Sequence, residues 1–180
     1  MDKKILSTAI AGVLAGSLAF AANADVTLYG QVDVSIDATD QDGGSDDVNM
    51  NSNQSAIGVK GSEDLGNGLS AIFLLEYQVD PSGTATSAGG FTGRDQYIGM
   101  KGGFGQVAFG TASTSYKSHG AMIDPLYRTS LQGRARGLQS FAHSGDGEDG
   151  EGRMTNQIRY DSPDYSGFSL TANYNFDSNE

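Results

Sequence analysis

The sequence predicts an all-β protein, a transmembrane antiparallel β-barrel whose strands cross the bilayer with one oily and one wet face. Three observations predict it. Apolar and polar side chains alternate with period two over stretches close to the ~9–11 residues of a tilted membrane strand. Short turn-rich connections alternate with long polar ones, as they do when one rim of a barrel is tidy and the other elaborate. The chain also opens with an export signal, after which no apolar run approaches the ~18 residues a spanning helix needs.

Composition narrows the choice. The 180 residues carry 22 acidic against 11 basic side chains, a formal charge of −11. Nucleic acid is a poor partner for such a chain, because that affinity comes from Lys and Arg neutralising phosphates. There is no cysteine, which excludes a disulfide scaffold, a Cys-based zinc site and thiol catalysis. Glycine, at 26 residues, is about twice its usual ~7% share and suits tight turns and closely approaching backbones.

Residues 1–24 read as a secretory signal peptide. Lys3 and Lys4 form a basic start, Ile5 to Phe20 an apolar stretch, and Ala22-Asn23-Ala24 a cleavage site before Asp25. The first strand is expected over Val26–Asp37. Val26, Leu28, Val32, Val34 and Ile36 form its apolar face, opposite Thr27, Gln31, Asp33, Ser35 and Asp37. A second strand carries Ile57 and Val59 against Gly58 and Lys60. The third sets Leu69, Ala71, Phe73, Leu75, Tyr77 and Val79 against Ser70, Ile72, Leu74, Glu76 and Gln78. A fourth covers roughly Asp95–Lys101, a fifth Gln106–Gly110, and a sixth sets Ile158 and Tyr160 against Gln157 and Arg159. In the seventh, Phe168, Leu170, Ala172, Tyr174 and Phe176 oppose Ser169, Thr171, Asn173 and Asn175.

The connections at 64–68, 102–105 and 161–167 are short and rich in turn residues, whereas 40–51, 80–93 and 111–152 are long, polar and glycine-rich. A soluble sandwich also alternates, so the polar face decides between the two. Here it is dominated by Ser, Thr, Asn and Gln, while Tyr77, Tyr160, Phe168 and Phe176 lie near strand ends on the apolar face, as in an interfacial girdle. Residues 25–180 form one domain with no linker. A periplasmic or secreted sandwich is the alternative.

Several runs resemble the Gram-negative general porins: Val26-Thr27-Leu28-Tyr29-Gly30 with Asp33, Gly58-Val59-Lys60-Gly61 through Glu76, Tyr97-Ile98-Gly99-Met100-Lys101-Gly102, Phe104-Gly105-Gln106-Val107, and Arg153 through Pro163 with Gly167-Phe168-Ser169-Leu170. The resemblance implies a homotrimeric outer-membrane barrel of about sixteen strands around an aqueous channel for ions and small polar solutes. It also implies that the third long loop, about 111–152, folds inward to form a charged eyelet. On that reading Asp124 is the acidic eyelet group and Arg153 the basic wall residue, with Lys60, Arg134, Arg136 and Arg128 as further candidates. Asp124 also reads as the N-cap of a short helix with Pro125 in its first turn, and the loop arginines as partners of loop carboxylates. Two arginine positions of the family are not kept, since Ala56 and Thr111 stand there. A wall short of arginines facing loop carboxylates tilts the expected selectivity towards cations.

Other chemistry has little support. His119 and His143 lie in the third loop without Gly-x-Ser-x-Gly or His-Glu-x-x-His, and no enzyme activity or cofactor is expected. Asp40-x-Asp42 begins like an EF-hand, but Ser45 and Asn51 occupy the positions that need Gly and Glu. The acidic loops suggest divalent bridging to lipopolysaccharide. Seven strands are odd and few for a barrel, so the chain is expected to be the N-terminal part of a longer protein and to fold as an open curved sheet. A non-channel outer-membrane or secreted β protein, such as an adhesin, is the alternative function.

Overall fold

The computed structural model describes residues 24–39, 47–83, 91–127 and 152–176. Its main feature is one antiparallel sheet of seven strands: β1 (Asp25–Gln31), β4 (Ala56–Gly66), β5 (Leu69–Val79), β6 (Phe91–Gly102), β7 (Gly105–Ser113), β8 (Arg153–Asp161) and β9 (Thr171–Asn175), in that spatial order. Two further strands, β2 (Val34–Thr39) and β3 (Asp47–Ser52), pair only with each other. The sheet does not close, since β1 and β9 are its two edges. It is an incomplete barrel.

The expected first strand is present but interrupted. It splits into β1 and β2 at Val32-Asp33, where Gln31 pairs with Ala56 and Val34 with Ser52. Three residues, Asn53 to Ser55, therefore stand opposite two, the insertion that defines a β-bulge. Asp33 holds the break closed. Its N–H donates to Ser55 Oγ at 2.9 Å, and its carbonyl accepts from Asn53 N–H at 2.9 Å and from Ser55 Oγ at 3.1 Å. Val26, Leu28, Val32, Val34 and Ile36 stay exposed on one face through the break. On the partner chain the parity changes, from Val48 and Met50 before the bulge to Ile57 after it.

β3 occupies residues 47–52, which sequence patterning placed at the end of a loop. Val48 and Met50 between Asp47, Asn49 and Asn51 give it a short period-two pattern of its own. The last strand begins later than expected. Phe168 belongs to a turn in which Tyr165 N–H donates to the Phe168 carbonyl at 2.8 Å, and β9 starts at Thr171.

Two of the short connections fall where the sequence predicts them. Gly66 pairs with Leu69, leaving Asn67 (φ 54°) and Gly68 (φ 76°) as a two-residue hairpin turn. Positive φ at both positions is what a type I′ turn needs, and Asn-Gly supplies it. Gly102 pairs with Gly105 across an equally tight turn.

Burial is inverted relative to a water-soluble fold. The buried apolar residues among those described are three alanines, Ala56, Ala108 and Ala112. Leu28 is 70% exposed, Ile36 72% and Ile98 59%, whereas Gln157 is 2% exposed, Arg153 4% and Arg94 8%. In water such a continuous apolar surface would far exceed the few hundred Å² a monomer normally shows. In a bilayer the arrangement is satisfied, because the oily rows meet hydrocarbon and every strand inside the sheet has its backbone groups paired. Aromatic residues mark the ends of these rows. Tyr77 packs edge-on against Phe91 with ring centroids 6.3 Å apart, and Tyr174 against Phe176 at 5.3 Å. Tyr160 donates its hydroxyl to the Phe104 carbonyl at 2.8 Å.

Candidate functional site: the polar wall and the helix that lies on it

The polar face carries three linked groups of charged side chains. The first spans four strands of the sheet. Tyr29 on β1 donates its hydroxyl to Glu76 Oε2 on β5 at 2.7 Å, and Arg94 on β6 donates Nε–H to Glu76 Oε1 at 2.5 Å. The Arg94 guanidinium also reaches Gln78 Oε1 and Gln54 Oε1, each at 3.4 Å. Lys60 of β4 places Nζ 5.4 Å from the centre of the Tyr29 ring, within the ~6 Å reach of a cation–π contact. Gly58 makes room for that ring, since a Cβ there would lie 2.6 Å from it.

In the second group Arg153 Nε donates to Asp95 Oδ1 at 2.8 Å, joining β8 to β6 across β7. Ser113 of β7 donates its N–H and its hydroxyl to the same carboxylate, both at 3.2 Å. In the third, Asp161 grips Arg159 through Nε at 2.8 Å and Nη2 at 2.7 Å and also accepts the Thr171 hydroxyl at 2.9 Å. Held so, Arg159 turns Nη1 towards the Ser113 carbonyl and the Ser118 hydroxyl, the latter at 3.0 Å.

Ser118 belongs to α1 (Ser115–Ile123), a helix formed by residues that sequence patterning left inside the third loop. Thr114 is its N-cap, accepting the Lys117 N–H on Oγ1 at 3.2 Å. Pro125 disfavours helical backbone at the residue before it, and Asp124 is extended (φ −91°, ψ 108°). Asp124 therefore closes α1. With its extended backbone and Pro125 after it, Asp124 also has the form expected of an N-cap, the turn at 125–127 being the last of the described residues in this segment. Its carboxylate accepts the Leu126 N–H at 2.9 Å in an Asx-type turn, and its carbonyl accepts the Tyr127 N–H at 3.1 Å. The helix lies on the polar face. Ser115 N–H donates to Asn173 Oδ1 of β9 at 2.7 Å, and Ser118 meets Arg159 of β8. A cavity of about 240 Å³ remains between helix and wall, bordered by Asp95, Tyr97, Gln106, Ser113, Ser118, Arg159 and Asp161. His119 Nδ1 lies 2.7 Å from the Ser115 carbonyl, one turn back in the same helix.

Of the candidate site residues, Arg153 and Lys60 stand in these groups and Asp124 at the end of α1. Arg128, Arg134 and Arg136 lie outside the described residues, as do His143, the Asp40-x-Asp42 run and residues 1–23 of the signal peptide. Sequence reasoning did not nominate Arg94, Asp95 or Glu76, and for Arg94 the reason is geometric. Counting by twos from Tyr97, Gly99 and Lys101 puts residue 94 on the oily face. The pairing of β5 with β6, however, shifts between Leu75 and Tyr77, and the irregularity turns Arg94 to the polar side. Arg159 had the right parity but no assigned role. Arg94 reaches Gln54 in the bulge before Ala56, and Arg159 reaches the Ser113 carbonyl at the end of β7.

A curved antiparallel sheet with its apolar rows outward, its ion pairs inward and a helix across its polar face defines part of an outer-membrane β-barrel. The chain belongs to the Gram-negative porins, since that family's model matches residues 7–180, and it is an outer-membrane protein. It is 32% identical to the major outer membrane protein P.IB of Neisseria gonorrhoeae over 182 residues, covering 97% of this chain and 48% of that one. Among solved structures it matches the anion-selective porin from Comamonas acidovorans with a TM-score of 0.69 and 28% identity, over 86% of this chain and 47% of that one. OmpT, an outer membrane protein of Vibrio cholerae in a trimer form, matches at a TM-score of 0.62 and 19% identity over 86% and 42%, a likeness of fold. The chain thus spans about half the length of the curated relatives it matches.

Proposed function

We propose that the whole protein is a passive diffusion channel, a water-filled barrel that carries ions and small polar solutes across the outer membrane. A wet lumen removes the desolvation cost a polar solute meets in hydrocarbon. The inversion of burial carries this reading, because a wall with Arg94, Glu76, Asp95, Lys60 and Arg159 on one face and Leu28, Ile57, Ile98 and Phe109 on the other suits water inside and lipid outside. The position of α1 supports an inward third loop that narrows the lumen into an eyelet. Arg94, Arg153, Arg159 and Lys60, on the wall with their partners Glu76, Asp95 and Asp161, supply its basic side, and Asp124 of the third loop its acidic side. The trimer form of the Vibrio cholerae protein supports assembly as a homotrimer, with lipopolysaccharide around the exposed loops, and residues 1–24 serve as the cleaved signal peptide.

Planar-bilayer recording of the full-length protein tests the channel. Stepwise, ohmic conductance is expected, and a purified, folded protein that gives none refutes it. Migration as a folded trimer on unheated gels, lost on boiling, tests the assembly.

A further inference from the structure

We infer that Asn173 and Arg159 are positioning residues that set the width of the channel by pinning the root of α1 to the wall. The inference rests on the channel reading and names the contacts on which its narrowest part depends.

The helix cannot hold this position through its own stability or through apolar packing. It has nine residues, with Gly120 among them, and isolated helices shorter than ~12–15 residues are marginal in water. The residues it buries are Lys117 and Gly120, while Met122 is 82% and Ile123 79% exposed. Beside Ser118 lies the cavity, lined mostly by polar side chains of the wall. Among the described residues, directed hydrogen bonds tie its start to the sheet, beginning with the Thr114 N–H, which donates to the Gly152 carbonyl at 2.8 Å.

Two of these reach the wall. The Ser115 N–H is one of the first-turn donors that have no partner within the helix, and Asn173 Oδ1 accepts it at 2.7 Å. The amide of Asn173 is oriented from behind. Its Nδ2 donates to Gln157 Oε1 at 2.5 Å, and Gln157, almost fully buried, donates to the Ala112 and Met154 carbonyls at 2.6 and 2.7 Å. With Nδ2 so engaged, Oδ1 is the atom left for the helix. Arg159 acts in the same way, because Asp161 occupies Nε and Nη2 and leaves Nη1 for Ser118. The pins lie on β8 and β9, so the helix root is fixed to two adjacent strands of a rigid sheet.

The test uses the full-length protein in planar bilayers. Asn173→Ala removes one pin. Ser118→Ala removes the other while leaving the wall charge of Arg159 in place. The double variant is expected to show raised open-channel noise and a shifted mean conductance, and Ser118→Ala alone to raise the noise with the melting of the folded barrel unchanged. A chain without native cysteine permits a direct counterpart. Ser115→Cys with Asn173→Cys is expected to cross-link on oxidation and to give a quiet channel, becoming noisy again on reduction. Variants that conduct like wild type, or a cysteine pair that does not cross-link, overturn this inference while the channel reading stands. A folded wild type that carries no current overturns the channel reading and this inference with it. Should the Asn173 variants fail to fold, Ser118→Ala alone decides, because it leaves Asn173 and Gln157 in place.

Discussion

Glu76 binds Arg94 on one carboxylate oxygen and Tyr29 on the other, at 2.5 and 2.7 Å. The pair is nearly desolvated, with side chains 10% and 18% exposed for Arg94 and Glu76. Glu76→Ala takes away the carboxylate and leaves Arg94 facing only the amide oxygens of Gln78 and Gln54 at 3.4 Å. Breaking a buried pair on one side typically costs about 3–5 kcal/mol, and the residual exposure of both side chains places the expected loss at the low end of that range. Glu76→Gln keeps a hydrogen-bond acceptor and should lose less. Urea titration of the full-length protein folded into vesicles measures both. Equal midpoints for Glu76→Ala and wild type would show that the pair contributes nothing to stability.

The two faces of the sheet should tolerate charge differently. Ile98 stands on the oily face of β6 and Ser62 on the wet face of β4. An arginine near the middle of the lipid face of a barrel costs about 2–4 kcal/mol, and one on the lumen face much less. Ile98→Arg should therefore lower the folding midpoint clearly and Ser62→Arg hardly at all. The reverse order would mean the faces have been assigned backwards.

Much of this architecture was legible because period-two alternation reports directly which side of a strand a residue occupies. Val26 to Ile36, Leu69 to Val79 and Thr171 to Phe176 all face as their parity says. What parity cannot report is where it breaks. The bulge at Asn53–Ser55 divides one expected strand in two, and the irregularity opposite Glu76 moves Arg94 from the oily face to the wet one. Both depend on pairing with a neighbouring strand, which no single stretch of sequence encodes. Helix α1 escaped notice for a different reason. Its residues lack an apolar stripe, and its position comes from Asn173 and Arg159, far along the chain. Asp124 was placed in the right segment, and Pro125 beside it held the signal for the break in helical backbone there.

Gly99 marks a position where two backbones approach closely. A Cβ there would lie 2.2 Å from the Val107 carbonyl oxygen and 2.9 Å from Ala108 Cα, and neither backbone atom can swing away as a side chain would. Gly99→Ala must part β6 from β7 locally, and overpacking of this kind typically costs about 1–3 kcal/mol. Gly103, in the turn between those strands, has open space around it, so Gly103→Ala is the control. Thermal unfolding of the full-length variants should separate them, and identical curves would mean the strands can spread without penalty.

Ion selectivity should follow the charges on the polar wall one at a time. The expectation of a cation preference rests on Ala56 and Thr111 standing at two arginine positions, and Arg94 and Arg159, which do stand on the described wall, are each paired with a carboxylate. Lys60 is exposed on this face, while Asp95 borders the cavity under α1. A unit charge about 8 Å from a passing ion changes its energy by roughly 0.5 kcal/mol in water, close to a two-fold change in permeability ratio. Lys60→Gln should accordingly move the reversal potential under a salt gradient towards cations, and Asp95→Asn towards anions, each by an amount of that order. Both shifts should shrink as salt rises, because screening shortens from about 10 Å at 0.1 M to about 3 Å at 1 M. If both substitutions move the potential in the same direction, or neither moves it at low salt, the permeating ions do not pass along this wall.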